Sequence, residues 1–280
     1  MLSKRQRRRI GALLAYLVLI AAFCFFIVPM LWIAYSSFRM PDAIFGGKIL
    51  TPPREFTLSN YSTVLSVTDF PRYFWNSIRI ALLVTVSSLV ISILGAYGLS
   101  RYNLRGKNIY IMGVFSTQMF PVVLLLIPIY NILFALRLFN TIPGVALGQL
   151  MLVLPFSVWM LKGYFDNLPR ELEDSAKIDG CNLFQTLTRI VLPIAAPGVM
   201  VTLFYSFVVS WGDYLVVSVV SQSNATATLT MALQRLGSAL ILRWGQVAAA
   251  TVLTIVPTIV LFSFMQTRLV EGLTSGAVKN

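Results

Sequence analysis

The sequence contains no histidine, and only 11% of its 280 residues are charged. A soluble domain of this length carries about 25% charged residues, so the class is a polytopic membrane protein. The missing imidazole removes the commonest general base and the commonest metal ligand, which disfavours catalysis and metal binding. Only two cysteines are present, Cys24 and Cys181, and they provide no disulfide framework.

The sequence also lacks two features that would let a membrane transporter supply its own energy. It has no Gly-x-x-x-x-Gly-Lys-Ser/Thr segment, so it has no phosphate-binding loop for ATP. Its long apolar runs contain almost none of the ionisable residues that secondary carriers and proton pumps place at membrane depth. We therefore expect this chain to bind no cofactor and any ATP with its Mg²⁺ to be bound by separate ATPase subunits.

Apolar residues dominate what is present, at 57% of the sequence with a mean hydropathy of +0.79. Six apolar runs approach or exceed the roughly 20 residues that a helix needs to cross a bilayer. The sequence predicts an all-α membrane protein, with residues 1–280 forming a single transmembrane domain. Its six transmembrane helices are predicted at residues 10–38, 77–99, 109–135, 144–163, 194–211 and 245–266.

The basic residues predict the orientation of the chain. Five of the first nine residues are Lys or Arg, and fourteen of all 22 fall on the side that six spans would place in the cytoplasm. By the positive-inside rule both termini are predicted to be cytoplasmic, so the formal charge of +12 need not indicate nucleic acid binding. The polar segment Ser221–Thr228 is predicted to lie in an external loop.

Half of the ten acidic residues lie in one polar loop between the fourth and fifth predicted spans. This loop predicts a short helix with Pro169 at its first position, acidic side chains in its first turns and Gly180 as its stop. Asn182 is predicted to cap a second helix that leads into the fifth span. From the spacing alone, the first helix is equally well explained as a solvated helix or as a docking helix with Leu172 and Ile178 as apolar contacts.

The same loop resembles a known motif. The run Glu173-Asp174-Ser175-Ala176 is followed by Asp179-Gly180 and, after nine residues, by Ile190-x-Leu192-Pro193. This pattern resembles the EAA loop of the permease subunits of ABC importers, E-A-A-x-x-x-G-x9-I-x-L-P. It departs from the motif at Asp174 and Ser175, which stand where the motif has Glu and Ala; these changes preserve charge and small size.

The resemblance extends along nearly the whole chain to the carbohydrate importers. The segments that carry it are Asn76-Ser77, Met119-Phe120-Pro121 with Pro128-x-Tyr130, and Trp211-Gly212-Asp213-Tyr214-Leu215. The ending from Gly272 to Lys279 is similar to that of the smaller permease subunit of the maltose-type transporters. The resemblance implies a type I importer permease fold in a bacterial-type inner membrane, surrounded by lipid. It also implies three kinds of partner: a second homologous permease, two cytoplasmic ATPase subunits and an extracytoplasmic substrate-binding protein.

The resemblance also implies which residues meet the partners. The cytoplasmic loop 166–193 would couple to the ATPase, and the cytoplasmic tail 268–280 would contact it as well. The residues implied for coupling are Glu171, Leu172, Glu173, Asp174, Ser175, Ala176, Ile178, Asp179, Gly180, Leu192 and Pro193, and those implied in the tail are Gly272, Thr274, Ser275 and Lys279. The segment Ser221–Thr228 is a candidate contact for the binding protein.

The implied function is import of a sugar or sugar derivative, with this chain forming half of the translocation pathway. Candidates for the pathway are the side chains of Thr117, Gln118, Asn131, Gln149 and Tyr205. The competing interpretation, which is favoured, is that each of them bonds to a neighbouring helix, as polar groups in membrane bundles do. The alternatives are import of a glycerophosphodiester or a polyol and, from other classes, a passive channel, a secondary carrier or a membrane-embedded enzyme.

Overall fold

The computed structural model describes residues 4–40, 56–238 and 243–275, and within these ranges the chain is helical and contains no strand. Its helices are α1 (Lys4–Ser37), α2 (Ser59–Ser66), α3 (Phe70–Arg101), α4 (Lys107–Met119), α5 (Val122–Ala135), α6 (Ile142–Asp166), α7 (Glu171–Ile178), α8 (Leu183–Ile194, with a π-helical turn at Leu187–Val191), α9 (Ala196–Gly212), α10 (Leu215–Val220), α11 (Leu229–Gly237) and α12 (Trp244–Ser275).

Four of the described helices are long and apolar enough to cross a bilayer by themselves: Arg8–Ser37 in α1, α3, α6 and Trp244–Thr267 in α12. Two pairs of consecutive helices meet the same criterion if each pair counts as one bent span. These pairs are α4 with α5, bent by 107°, and α8 with α9, bent by 83°. The described residues thus provide four to six candidate spans, and the predicted all-α membrane architecture is confirmed.

The predicted third span, residues 109–135, is a pair of helices because of Pro121. Helix α4 ends at Met119, and Phe120 is extended, with φ −78° and ψ 136°. The ring of a proline disfavours the helical conformation in the residue before it, which explains the break at this point. Pro128 lies inside α5 without interrupting that helix.

The chain divides into two compact units, residues 1–68 with 233–255 and residues 69–232 with 256–280. In the second unit α3 packs along α6 and α9, and α10 packs against α5 and α6. Two apolar clusters fill this bundle, one formed by α3, α5, α6 and α10 and the other by α3, α6, α8 and the α8–α9 junction. Their buried members are Ile80, Val84, Leu126, Ile129, Leu133, Val145, Ala146, Leu150, Val153, Val216, Val217 and Val220 in the first, and Ala96, Tyr97, Leu161, Phe165, Leu187, Val191 and Ala195 in the second.

Three serine hydroxyls tie α3, α6 and α9 together at the centre of this bundle. Ser88 lies 3.2 Å from Ser157 and 3.1 Å from Ser206, and Ser157 lies 3.3 Å from Ser206. All three residues are fully buried. Small residues let membrane helices approach closely, and hydrogen bonds between helices add to their association. The three helices therefore form one bonded core.

In the first unit, the end of α1 is closed by a side chain from α2. The Asn60 amide donates to the carbonyls of Ser37 and Arg39 at 2.9 and 2.8 Å, which satisfies carbonyls that a helix terminus leaves unpaired. The Ser37 hydroxyl also lies 2.7 Å from that of Tyr61. The apolar run of α1 itself, by contrast, is exposed along its length within the described structure.

Candidate functional site

The acidic loop folds into α7, a helix whose end the sequence predicts correctly. Gly180 adopts φ +82°, and the amide of Cys181 donates to the carbonyl of Ala176 at 2.9 Å, so the helix stops at the expected glycine. Asn182 then begins the next helix through a reciprocal capping box with Gln185, both bonds measuring 2.9 Å. The start differs from the prediction, because α7 begins at Glu171 and leaves Pro169 outside it.

Helix α7 has one buried face and one exposed face. The buried face carries Glu173 and Ala176, which are 6% and 2% exposed and lie three residues apart. The exposed face carries Leu172 and Ile178, which are 40% and 87% exposed. Single exposed apolar residues are common on protein surfaces, so this exposure is compatible with docking and does not establish it. The other residues of segment 171–180 that are predicted to couple are exposed as well, namely Glu171, Asp174, Ser175, Asp179 and Gly180.

Glu173, which is predicted to contact a partner, is bonded within the chain through both of its carboxylate oxygens. The Tyr97 hydroxyl donates to Oε2 at 2.7 Å, and Nε of Arg101 donates to Oε1 at 2.5 Å. The side chains of Arg101 and Glu173 are 9% and 8% exposed, so the ion pair is shielded from solvent. The physical reason is that a carboxylate on the inner face of α7 needs a charged or hydrogen-bonding partner there.

The exposed charges of α7 are arranged differently. Lys177 donates to Asp174 at 2.9 Å, and both side chains are 65% exposed. This hydrogen bond holds the pKa of Lys177 above its ordinary value. A surface ion pair of this kind adds little to stability, so both groups remain available for contact with another protein.

The two remaining parts of the predicted contact surface have different positions. After the π-helical turn of α8, Leu192 is half-buried and Pro193 is exposed. Gly272, Thr274 and Ser275 lie in the last turns of α12, in a stretch for which only the backbone is described. Lys279 lies outside the described residues. The ATPase contact predicted for the tail therefore stays a prediction.

The predicted external segment, the 221–228 loop, is held in place by Asn140. Its Oδ1 atom accepts three hydrogen bonds from the loop, from the amide of Gln222 at 3.0 Å, the hydroxyl of Ser223 at 3.1 Å and the hydroxyl of Thr226 at 2.7 Å. Asn140 adopts φ 55°, a left-handed conformation that asparagine tolerates better than most residues. The loop is therefore built around one amide oxygen.

A second asparagine fixes the other side of the 221–228 loop to the start of α3. The Asn76 amide donates to the carbonyls of Ala225 and Ala227 at 3.0 and 2.9 Å. The next residue, Ser77, accepts from the amide of Leu229 at 2.9 Å. These bonds leave Asn224 and Ala225 exposed at the tip of the loop. A prefolded loop with an exposed tip can dock without a large ordering cost.

The structure does not gather the five predicted pathway residues into one site. Gln149 is 1% exposed, and its amide lies among α9 residues, donating to Asp213 at 3.0 Å and accepting from Ser210 at 2.5 Å. Tyr205 packs its ring on Phe156, with centroids 4.3 Å apart. The other three, Thr117, Gln118 and Asn131, are exposed. Gln149 therefore forms hydrogen bonds within the helix bundle, as polar groups of membrane helices often do.

A cavity of about 480 Å³ lies beside the α4–α5 break, and Thr117 is the one predicted pathway residue in its wall. The rest of the wall is mostly apolar, including Ile91, Tyr110, Pro128 and Met151. A sugar requires several hydrogen-bonding groups, and this wall offers few of them. The cavity alone therefore does not constitute a sugar site.

Sequence reasoning missed the residues that hold the site in place. From the sequence, Arg101 is one of the basic residues that predict topology, Asn76 belongs to a segment that carries the family resemblance, and Asn140 has no predicted role. The available signals were weak: Tyr97 and Arg101 share one helical face by their spacing of four, and Asn140 stands in a turn. The contacts themselves join residues 72 to 151 positions apart, which no local pattern specifies.

Comparison with known proteins agrees with this geometry. Residues 87–274 match the family described as "Binding-protein-dependent transport system inner membrane component". The diacetylchitobiose uptake system permease protein DasC of Streptomyces coelicolor is 30% identical over 98% of this chain and 99% of its own length. The sulfoquinovosyl glycerol transport system permease protein SmoH of Agrobacterium fabrum is 34% identical over 90% of this chain and 88% of its own length.

A solved structure supports the fold. A bacterial ABC transporter involved in the import of the acidic polysaccharide alginate contains a chain that matches with a TM-score of 0.83 at 23% identity, over 96% of this chain and 99% of that chain. At this identity the likeness concerns the fold alone. The family match and the two relatives carry the assignment itself. The chain belongs to the family of binding-protein-dependent transport system inner membrane components, and it is a multi-pass permease subunit rather than an enzyme.

Proposed function

We propose that this permease forms half of the translocation pathway of an ATP-driven importer for a sugar or sugar derivative. The named substrates of its relatives, diacetylchitobiose and sulfoquinovosyl glycerol, support this class of substrate. Import of a glycerophosphodiester or a polyol by the same architecture remains the alternative. Identifying the ligand that the partner binding protein retains on purification distinguishes these substrates.

The proposal rests on one observation, the exposed face of α7. Leu172 and Ile178 are apolar and exposed beside the exposed charges Asp174 and Lys177. Exposed apolar side chains beside exposed charges are found at protein contacts. The chain has no phosphate-binding loop, so the free energy of ATP hydrolysis comes from separate subunits. Helix α7 provides the surface at which those subunits bind. ATP and Mg²⁺ are bound in those subunits.

The other partners are assigned to other surfaces. A liganded binding protein docks on the 221–228 loop, whose exposed tip is held by Asn140 and Asn76. The exposed apolar run of α1 faces lipid or a second homologous permease. Both termini and α7 lie on the cytoplasmic side, following the positive-inside rule. When ATP closes the ATPase dimer, α7 moves with it. Helices α6 and α9, which flank α7 and α8 in the chain, then open the pathway outward.

The substitution Ile178→Glu tests the contact between α7 and an ATPase. The Ile178 side chain is 87% exposed, so the change leaves the packing of this chain intact and acts on a partner surface. Loss of a central apolar contact lowers the affinity for the ATPase by about tenfold. The measurement is co-purification of the ATPase with the solubilised permease.

The matched control is Leu104→Glu, which introduces the same charge at another exposed apolar residue outside α7. This variant should retain the ATPase as the unmodified chain does. If Ile178→Glu also retains the ATPase at the normal level, α7 is not the docking helix.

A further inference from the structure

Glu173 is the one buried acidic residue of α7. Its side chain is 8% exposed, and both carboxylate oxygens are bonded, one to the Tyr97 hydroxyl and one to Arg101. The other acidic residues of α7, Glu171 and Asp174, are exposed. Glu173 is therefore separated from the docking face by the geometry of the helix, although it lies in the same acidic run.

Its two partners lie on a helix that is far from α7 in sequence. Tyr97 and Arg101 are four residues apart at the C-terminal end of α3, so their side chains project from the same face and bracket the carboxylate. The Tyr97 ring is in turn held by Phe165 of α6, with ring centroids 6.1 Å apart. Tyr97 is thus also held by packing against α6.

The same end of α3 also holds the connection between α6 and α7. The Ser100 hydroxyl donates to Asp166 at 2.7 Å, and its carbonyl accepts from Arg170 at 3.4 Å. Arg101 donates through Nη2 to the carbonyl of Leu168 at 3.3 Å. The α6–α7 connection is therefore bonded to α3 at several consecutive points before Glu173 is reached.

This arrangement has a mechanical consequence. Helices α6 and α8 adjoin α7 in sequence and follow its movement through the chain, whereas the described hydrogen bonds between α3 and α7 itself are those of Tyr97 and Arg101 to Glu173. Without the bonds from Tyr97 and Arg101, α7 could move past the end of α3. With them, the end of α3 must follow.

We infer that Arg101 and Tyr97 are positioning residues that clamp α7 to α3 through Glu173, so that the movement of α7 is delivered to α3 directly. This inference rests on the proposed function of α7 as the ATPase-docking helix. It assigns to Glu173 an internal role that differs from the partner contact first predicted for it. The serine-bonded core of α3, α6 and α9 then moves as one body.

The test is a charge swap measured in the complete transporter, with its ATPase and second permease. Arg101→Glu and Glu173→Arg each place like charges in the shielded pair and should lower uptake per ATP hydrolysed by about tenfold or more. The double variant Arg101→Glu/Glu173→Arg restores opposite charges and should recover uptake per ATP to within about threefold of the unmodified protein. Tyr97→Phe keeps the ring and removes only the hydroxyl, so its loss should be smaller.

Co-purification of the ATPase with each variant separates this inference from the proposed function. If the ATPase stays bound to the single variants while uptake per ATP falls, and the double variant recovers, the clamp is supported. If Glu173→Arg loses the ATPase and Arg101→Glu in the same chain does not restore it, Glu173 is a partner contact and the clamp is refuted. If the unmodified chain retains no ATPase, the proposed function fails instead.

Discussion

Replacing Asn140 by alanine is expected to loosen the 221–228 loop without unfolding the protein. The change removes the oxygen that accepts hydrogen bonds from Gln222, Ser223 and Thr226. It also leaves a residue with a Cβ and no polar group at φ 55°, a conformation that asparagine tolerates better than alanine. The loop should open locally more often, because only its bonds to other residues, such as Asn76 and Asp69, then remain.

The magnitude follows from these contacts. A net contribution of about 1 kcal/mol for each hydrogen bond gives a loss of about 2–3 kcal/mol in the free energy of local opening. This corresponds to roughly 30- to 160-fold faster amide exchange in the loop, since 1.36 kcal/mol is about a factor of ten. The amide of Gln222 is the most direct reporter, because it donates to Asn140 itself.

The assay is hydrogen exchange of the reconstituted permease, with binding-protein-stimulated ATP hydrolysis as the functional measurement. Asn140→Asp keeps an acceptor oxygen at the same position and should exchange within about threefold of the unmodified protein. Asn140→Gly removes the acceptor but adds no backbone strain, so it isolates the hydrogen-bond contribution. Equal exchange in Asn140→Ala and the unmodified protein would refute the reasoning.

Two further predictions concern the packing of α9 and the charge of Asp213, which follows it. A Cβ at Gly198 would lie 2.4 Å from ring carbons of Tyr164, so Gly198→Ala should cost about 1–3 kcal/mol of stability and lower the thermal midpoint. The control is Gly212→Ala in the same helix, whose Cβ would have no described atom within 4 Å and which should leave the midpoint unchanged. Burial raises the pKa of Asp213, so the stability from its protonated form is present at low pH and lost as pH rises through the raised value. Asp213→Asn should therefore be more stable than the unmodified protein at neutral pH and equal to it in acid; an unchanged difference in midpoint across pH would contradict this.

The parts of the fold that follow local rules were predictable from the sequence. Apolar run length is a property of a single segment, and it predicts the spanning helices. The stop of α7 at Gly180 and the capping box at Asn182 follow from residue types at fixed offsets. The exposure of Ile178 was consistent with the docking interpretation, although the spacing alone did not exclude a solvated helix.

The parts that depend on tertiary contacts were not predictable. Pro121 and Pro128 are equivalent in sequence, yet only Pro121 coincides with a helix break. Glu173 lies among other acidic residues, and only the position of α3 determines that it faces inward. Asn140 anchors a loop more than 80 positions later in the chain, a separation that no periodicity encodes.

The most direct test of the central claim, that α7 couples ATP hydrolysis to import, uses Gly180. At φ +82° a β-branched residue costs about 1–2 kcal/mol, so Gly180→Val should displace the end of α7, while Gly180→Asn tolerates the conformation and serves as the control. Uptake of the ligand that the binding protein retains and ATP hydrolysis are measured together in proteoliposomes that hold the complete transporter. We predict that uptake depends on ATP and the binding protein, and that Gly180→Val hydrolyses ATP with little uptake while Gly180→Asn remains coupled. Uptake without ATP, or normal uptake per ATP in Gly180→Val, would contradict the account.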